Sequence, residues 1–118
     1  MSENTDLIQL DTELLDSYIQ SLGSVVVKQM FDLYCQQVVG YIEDIEHSLV
    51  HQNAKLWQEN CHKMKGAAGS IGLKALHGRL KVMEKSTKDH ADKAEQLTAL
   101  KTHNSAAIAD FEHWFTRL

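Results

Sequence analysis

An imidazole, two ammonium groups and two glycines fall within eight residues, in the run His62-Lys63-Met64-Lys65-Gly66-Ala67-Ala68-Gly69. A neutral imidazole, with a reference pKa near ~6.5, is a nucleophile at physiological pH and needs no base to activate it. On a helical wheel at about 100° per residue, Leu56, Trp57, Cys61, Met64, Ala68 and Ile71 form an apolar stripe. His62 falls nearly opposite that stripe and therefore outside. Lys55, Gln58, Lys65, Gly66 and Gly69 share its outer face. A glycine inside an exposed helix costs about 1 kcal/mol relative to alanine, so helix stability does not explain two of them. What they provide is bare surface over which another macromolecule can approach His62, while Lys65 supplies a mobile ammonium that balances phosphate charge. Glu59 and Lys63 extend the candidate contact surface, and Lys74 adds a cation past the Gly72 break.

The elements that must position these side chains are helices. The chain has 118 residues, no proline and six glycines, of which Gly66, Gly69, Gly72 and Gly78 fall within thirteen residues. An all-β chain needs turn residues at every hairpin and would not concentrate them in this way. Asp11 caps a first short helix carrying Leu14, Leu15, Tyr18, Ile19 and Leu22, closed by Gly23. Ser24 is the expected cap of a long second helix whose apolar residues run from Val27 through Met30, Phe31, Tyr34, Val38, Tyr41, Ile42 and Ile45 to Leu49. Asn53 caps the third helix, which ends at Gly72. A fourth runs from about Leu73 to Ser86, with Gly78 as a weak point. After the polar stretch Thr87 to Asp92, a fifth uses Ala94, Leu97, Leu100, Ala107, Ile108 and Phe111 on its way to the C-terminus. Short connections make successive helices antiparallel neighbours. The expected fold is all-α, an up-down-up-down four-helix bundle with a short additional N-terminal helix, in one domain over 1–118 whose first ten or so residues are flexible.

A hairpin turning near Gly72 and Leu73 sets His62 opposite Met83 and leaves Glu84 at the outer edge of the fourth helix. Glu84 is then placed to orient the imidazole, the alternative being a pair with Lys81 or Lys88 on its own helix.

Charge is unevenly distributed. Residues 1–52 carry nine acids against Lys28 alone, residues 53–83 carry six bases against Glu59 alone, and the net charge is −4. A basic island of this kind suits an acidic partner or a phosphoryl group, while the overall sign argues against general nucleic-acid binding. No apolar run approaches the ~20 residues that cross a bilayer, and no signal peptide opens the chain, so a cytoplasmic protein without membrane contact is expected. Cys35 and Cys61 share no motif spacing and are read as reduced and buried. His47 and His51, at i and i+4, lack the further ligands of a metal site and are read as helix C-terminal histidines. His77, His90, His103 and His113 are read as surface residues, and Trp57, Phe111, Trp114 and Phe115 as core. No metal site is expected.

The order of residues around His62 resembles the signature of histidine-containing phosphotransfer (HPt) domains: the histidine, then Met64, Lys65 and Gly66 at the second, third and fourth positions after it, and Gly72 at the tenth. It is similar in particular to the HPt domain of Arc-type hybrid sensor kinases, although a stand-alone domain is expected here. The resemblance covers essentially the whole chain. It implies that His62 accepts a phosphoryl group from a receiver-domain aspartate and returns it to another, serving a hybrid sensor kinase and a response regulator. It implies that the chain is a phosphocarrier and not an enzyme, binding no cofactor and relying on the partner's Mg²⁺. In that family a Glu or Gln commonly stands where Glu84 does. A monomer is expected, and the alternative is a non-catalytic helical-bundle adaptor that binds a signalling partner. A metal- or proton-handling enzyme lacks a second polar cluster near His62, and self-phosphorylation would need a glycine-rich nucleotide loop that is absent.

Overall fold

The computed structural model describes residues 9–118, and every regular element in that range is a helix: α1 Thr12–Leu22, α2 Ser24–Val50, α3 Ala54–Ser70, α4 Lys74–Glu84 and α5 His90–Thr116. The long helices close a ring, α2 packing on α3 and α5 and α4 on α3 and α5, while α1 lies against α2. Cross-contacts fix their directions. Asn60 Nδ2 donates to Asp44 O and Trp57 Nε1 to Met83 O, each joining the first half of a helix to the last part of its neighbour, while Lys101 Nζ donates to Glu46 Oε2 and Tyr34 Oη, earlier on α2, donates to Asn104 Oδ1, later on α5. The bundle is therefore antiparallel, as the short connections require.

Asp11 Oδ1 accepts from Leu14 N at 3.1 Å and Asn53 Oδ1 from Leu56 N at 3.0 Å, so both of these expected caps are in place. Ser24 is not a cap. Gly23 turns the chain at φ +83° and its carbonyl accepts from Val27 N, so the capping position moves back by one residue and Ser24 begins α2. The fifth helix starts four residues before Ala94, because Asp89 Oδ1 accepts from Asp92 N at 3.0 Å and caps it. The fourth ends at Glu84, two residues short of Ser86.

The core runs from Leu15 and Val27 through Phe31, Ile45, Trp57, Met64, Leu80 and Leu100 to Phe111. Phe31 stacks on Phe111 with centroids 4.0 Å apart. Trp114 and Phe115, expected in the core, lie only partly buried at its edge. Cys61 is buried, and burial pushes its thiol up to about 12, whereas Cys35 is only partly buried. One polar pair sits inside: Tyr34 Oη donates to Asn104 Oδ1 at 2.7 Å, so a residue read as apolar stripe satisfies a buried amide. Leu10 is 5% exposed and Asp11 N donates to Gly72 O, so the chain is anchored from about its tenth residue onward. Residues 1–8, the rest of the expected flexible terminus, lie outside the described part.

Gly72 is the hinge of the α3–α4 hairpin. Its φ is +76°, and a Cβ there would lie 2.8 Å from Leu15 Cγ, so both backbone and packing exclude a side chain. Gly72→Ala should destabilise the protein by about 1–3 kcal/mol, read by chemical denaturation; a loss below half a kcal/mol would show that Leu15 and the turn relax freely.

Candidate functional site

His62 stands on the outer face of α3, its side chain 68% exposed, at a position where the apolar stripe has turned to the other side of the helix. The antiparallel hairpin brings the end of α4 beside it, and His62 Nδ1 pairs with Glu84 Oε1. The second oxygen, Glu84 Oε2, accepts from Lys65 Nζ at 2.8 Å. One carboxylate thus bridges two residues of the facing helix, and neither Lys81 nor Lys88 takes it. Beneath it, Trp57 Nε1 donates to Met83 O at 2.8 Å, pinning the backbone that carries Glu84 to α3.

The electrostatics decide which ring nitrogen is free. The Lys65 hydrogen bond, opposed by desolvation and reinforced by His62, holds the Glu84 carboxyl below its ordinary range. An ionised carboxylate only accepts, so the neutral imidazole donates from Nδ1 and carries its lone pair on Nε2, a tautomer assigned from the bonding pattern. Because the folded carboxyl is the stronger acid, the contact stabilises the fold above the unfolded carboxyl's range. That stabilisation disappears as pH falls through the depressed folded value.

Not every residue expected here meets the same environment. Lys55, Gln58, Glu59, Lys63 and Gly66 are exposed along the outer face of α3, and Lys74 is exposed at the start of α4. A Cβ at Gly66 would meet nothing within 4 Å, so its surface is bare. Gly69 is different. A Cβ there would lie 2.8 Å from His77 Cδ2, so Gly69 accommodates the facing helix and is not part of a docking flat. His77 is correspondingly half-buried, not a surface residue. Nor is Lys65 a mobile ammonium, since its side chain is 19% exposed and clipped to Glu84. His103 too is half-buried, and burial, with Arg79 nearby, lowers its pKa. His47 and His51 stack with centroids 4.2 Å apart at the end of α2.

A wall of the site comes from α2, and the sequence reading missed it. Met30, Leu33, Gln37 and Tyr41 face His62, Lys63 and Gly66 across a groove of about 490 Å³. Leu33 is 52% exposed. The available signal was Leu33 itself, an apolar residue falling off the buried stripe of its helix. An exposed imidazole with an oriented tautomer, a cation and an open, partly apolar groove can accept an electrophile delivered by another macromolecule.

Comparison with known proteins agrees with this geometry. Residues 29–110 match the Hpt domain family. The aerobic respiration control sensor protein ArcB of Escherichia coli K12 is 34% identical over 67 residues, as is its Shigella flexneri counterpart. Each match covers 57% of this chain and 9% of the relative, so the chain matches a small part of those proteins. The solved histidine-containing phosphotransfer domain of ArcB from Escherichia coli superposes with a TM-score of 0.83 at 23% identity, covering 92% of this chain and 94% of that one. That likeness shows the fold, a helical bundle shared end to end. No helix among the described residues is long and apolar enough to cross a membrane. With most of its length matched by the family and its exposed histidine at the head of the motif, the chain belongs to the Hpt domain family, whose function is histidine phosphotransfer in a phosphorelay.

Proposed function

We propose that His62 is the phosphoacceptor and that Nε2 is the nitrogen that reacts. The observation that supports this reading is the Glu84 carboxylate on Nδ1, which leaves the lone pair on Nε2 of a ring whose side chain is largely exposed. Nε2 attacks the phosphorus of a receiver's aspartyl phosphate in line, an N–P bond forms, and the P–O bond to the aspartate breaks with the carboxylate leaving as an anion. The phosphorylated ring keeps its Nδ1 proton and becomes a cation, whose charge Glu84 balances. Lys65, 2.8 Å from Glu84, keeps an ammonium beside the transferred group. Return to a second receiver reverses the same bonds.

Positioning and charge neutralisation are most of what phosphoryl transfer requires, and this chain supplies positioning through Glu84 and the groove and part of the neutralisation through Glu84 and Lys65. The receiver supplies the rest, including the Mg²⁺ at its own aspartate, so the chain is a phosphocarrier. Receivers of a hybrid sensor kinase and of a response regulator are the partners. They dock over Gly66 and the α2 wall, with Lys55, Gln58, Glu59 and Lys63 around His62 and Lys74 at greater reach. The protein acts as a cytoplasmic monomer.

His62→Gln should abolish phosphoryl acceptance from a phosphorylated receiver and leave stability within about 0.5 kcal/mol, as for other exposed positions; retained acid-labile label would refute the assignment. Gly66→Ala should stabilise α3 by about 1 kcal/mol or less yet slow transfer several-fold, because the methyl stands where the partner docks. Equal or faster transfer would show that the bare surface is not used. Lys63→Ala and Lys74→Ala should slow association alone, and lose their effect as the Debye length falls from about 30 Å at 0.01 M salt to about 10 Å at 0.1 M. Lys65→Ala should also shorten the phosphohistidine lifetime at either salt. Stopped-flow transfer showing three equal, salt-suppressible losses would reduce Lys65 to a charge at a distance.

A further inference from the structure

Glu84 works from an end of α4 that the helix does not secure by itself. α4 has only 11 residues, with the exposed Gly78 in its middle, and Glu84 is the last of them. Helices of that length are marginal alone, and the carbonyls of a final turn have no partner within the helix. No residue of the connection that follows, 85–89, is buried, so no side chain beyond Met83 anchors this end in the core. Yet the carboxylate has to stay on Nδ1 of a ring that belongs to another helix.

What holds the turn is an indole. Met83 O accepts from Ser86 N at 3.1 Å, and its second lone pair accepts from Trp57 Nε1 at 2.8 Å. Trp57 and Met83 are each 1% exposed, so this bond is shielded from water. Unwinding the last turn of α4 would leave a buried indole N–H without an acceptor, and that penalty opposes fraying. The indole is itself steadied from α5, where Lys93 Nζ lies 5.3 Å from the ring centroid. Trp57 and His62 stand about 7.5 Å apart along α3. One rigid helix therefore grips residues 83 and 84 from Trp57, His62 and Lys65 together.

We propose that Trp57 is a positioning residue for phosphoryl transfer: its indole N–H caps the C-terminal turn of α4 and so keeps the Glu84 carboxylate on Nδ1 of His62, with Lys93 steadying the indole from α5. The proposal rests on the phosphocarrier reading for the reaction it serves. Trp57 acts through Met83 and Glu84, since a residue so buried touches neither a receiver nor the phosphoryl group. With the donor gone, the turn opens, Glu84 leaves the ring, and the unpaired neutral imidazole divides between its two tautomers. The lone pair then stands on Nε2 in only part of the molecules, and only that part is ready to attack.

Nitrogen-15 NMR of the histidine-labelled, unphosphorylated protein reads the tautomer of His62 without any receiver. Trp57→Phe keeps a ring in the core and removes the donor. It should raise the share of His62 protonated on Nε2 and lower the maximal rate of transfer from a phosphorylated receiver about tenfold, with the affinity for that receiver unchanged. Lys93→Met keeps the stem and removes the charge, and should shift the tautomer the same way while slowing transfer about two- to fivefold. Val27→Ala is the control for general loosening. It opens a cavity near the start of α2, whereas the end of α2 is what meets α3 at Asp44 and Asn60, so it should cost stability and leave tautomer and rate as they are. A native tautomer and rate in Trp57→Phe, or equal changes in Val27→Ala, overturns the proposal. Should Trp57→Phe not fold, native readouts in Lys93→Met overturn it on their own. Absence of transfer to His62 in the parent protein would instead overturn the phosphocarrier reading, and the tautomer measurement decides the role of Trp57 in either case.

Discussion

The ionised carboxylate of Glu84 holds two side chains of the facing helix at once, His62 through one oxygen and Lys65 through the other. Everything the site can do follows from that contact. Because a carboxylate only accepts, it fixes the protonated nitrogen of the ring and thereby the nucleophilic one. Because Lys65 is the largest influence lowering its pKa, the carboxylate stays charged and remains an acceptor. Lys65 is thus part of the device that orients the imidazole as well as a cation near it.

The bundle exists, for this purpose, to put residue 84 opposite residue 62. Gly72 turns the chain in a conformation that a side chain would strain, over a space that Leu15 fills. Asp11 N, bonded to Gly72 O, and Leu10, buried beside it, tie the first helix to that turn. At the other end Trp57 reaches the carbonyl of Met83, so the residue before Glu84 is held by α3 itself. The imidazole of His62 remains outside this framework and solvent-exposed, as the proposed transfer from another protein requires.

Periodicity made the helices and their order legible, and the hairpin arithmetic placed Glu84 beside His62, because both depend only on spacing along the chain. What was not legible depends on how one helix is rotated against the next. Gly66 and Gly69 look alike on the α3 wheel, yet the space over one is empty and over the other is the ring of His77. The rotation of α4 alone decides this. The α2 wall was hidden for the same reason, since Met30 and Tyr41 read as core until α3 is set beside them. Asp89 and Gly23 were overlooked as caps because polar stretches carry several candidate residues, and only backbone dihedrals select one.

The central claim is that Glu84 selects Nε2 of His62 as the reacting nitrogen. Nitrogen-15 NMR of the protein labelled in its histidines and phosphorylated by a receiver tests it directly, through the coupling between phosphorus and the ring nitrogens. The expected spectrum shows the N–P bond at Nε2 of His62, with Nδ1 still protonated. Phosphorus bonded to Nδ1, or to any other histidine, would contradict the account.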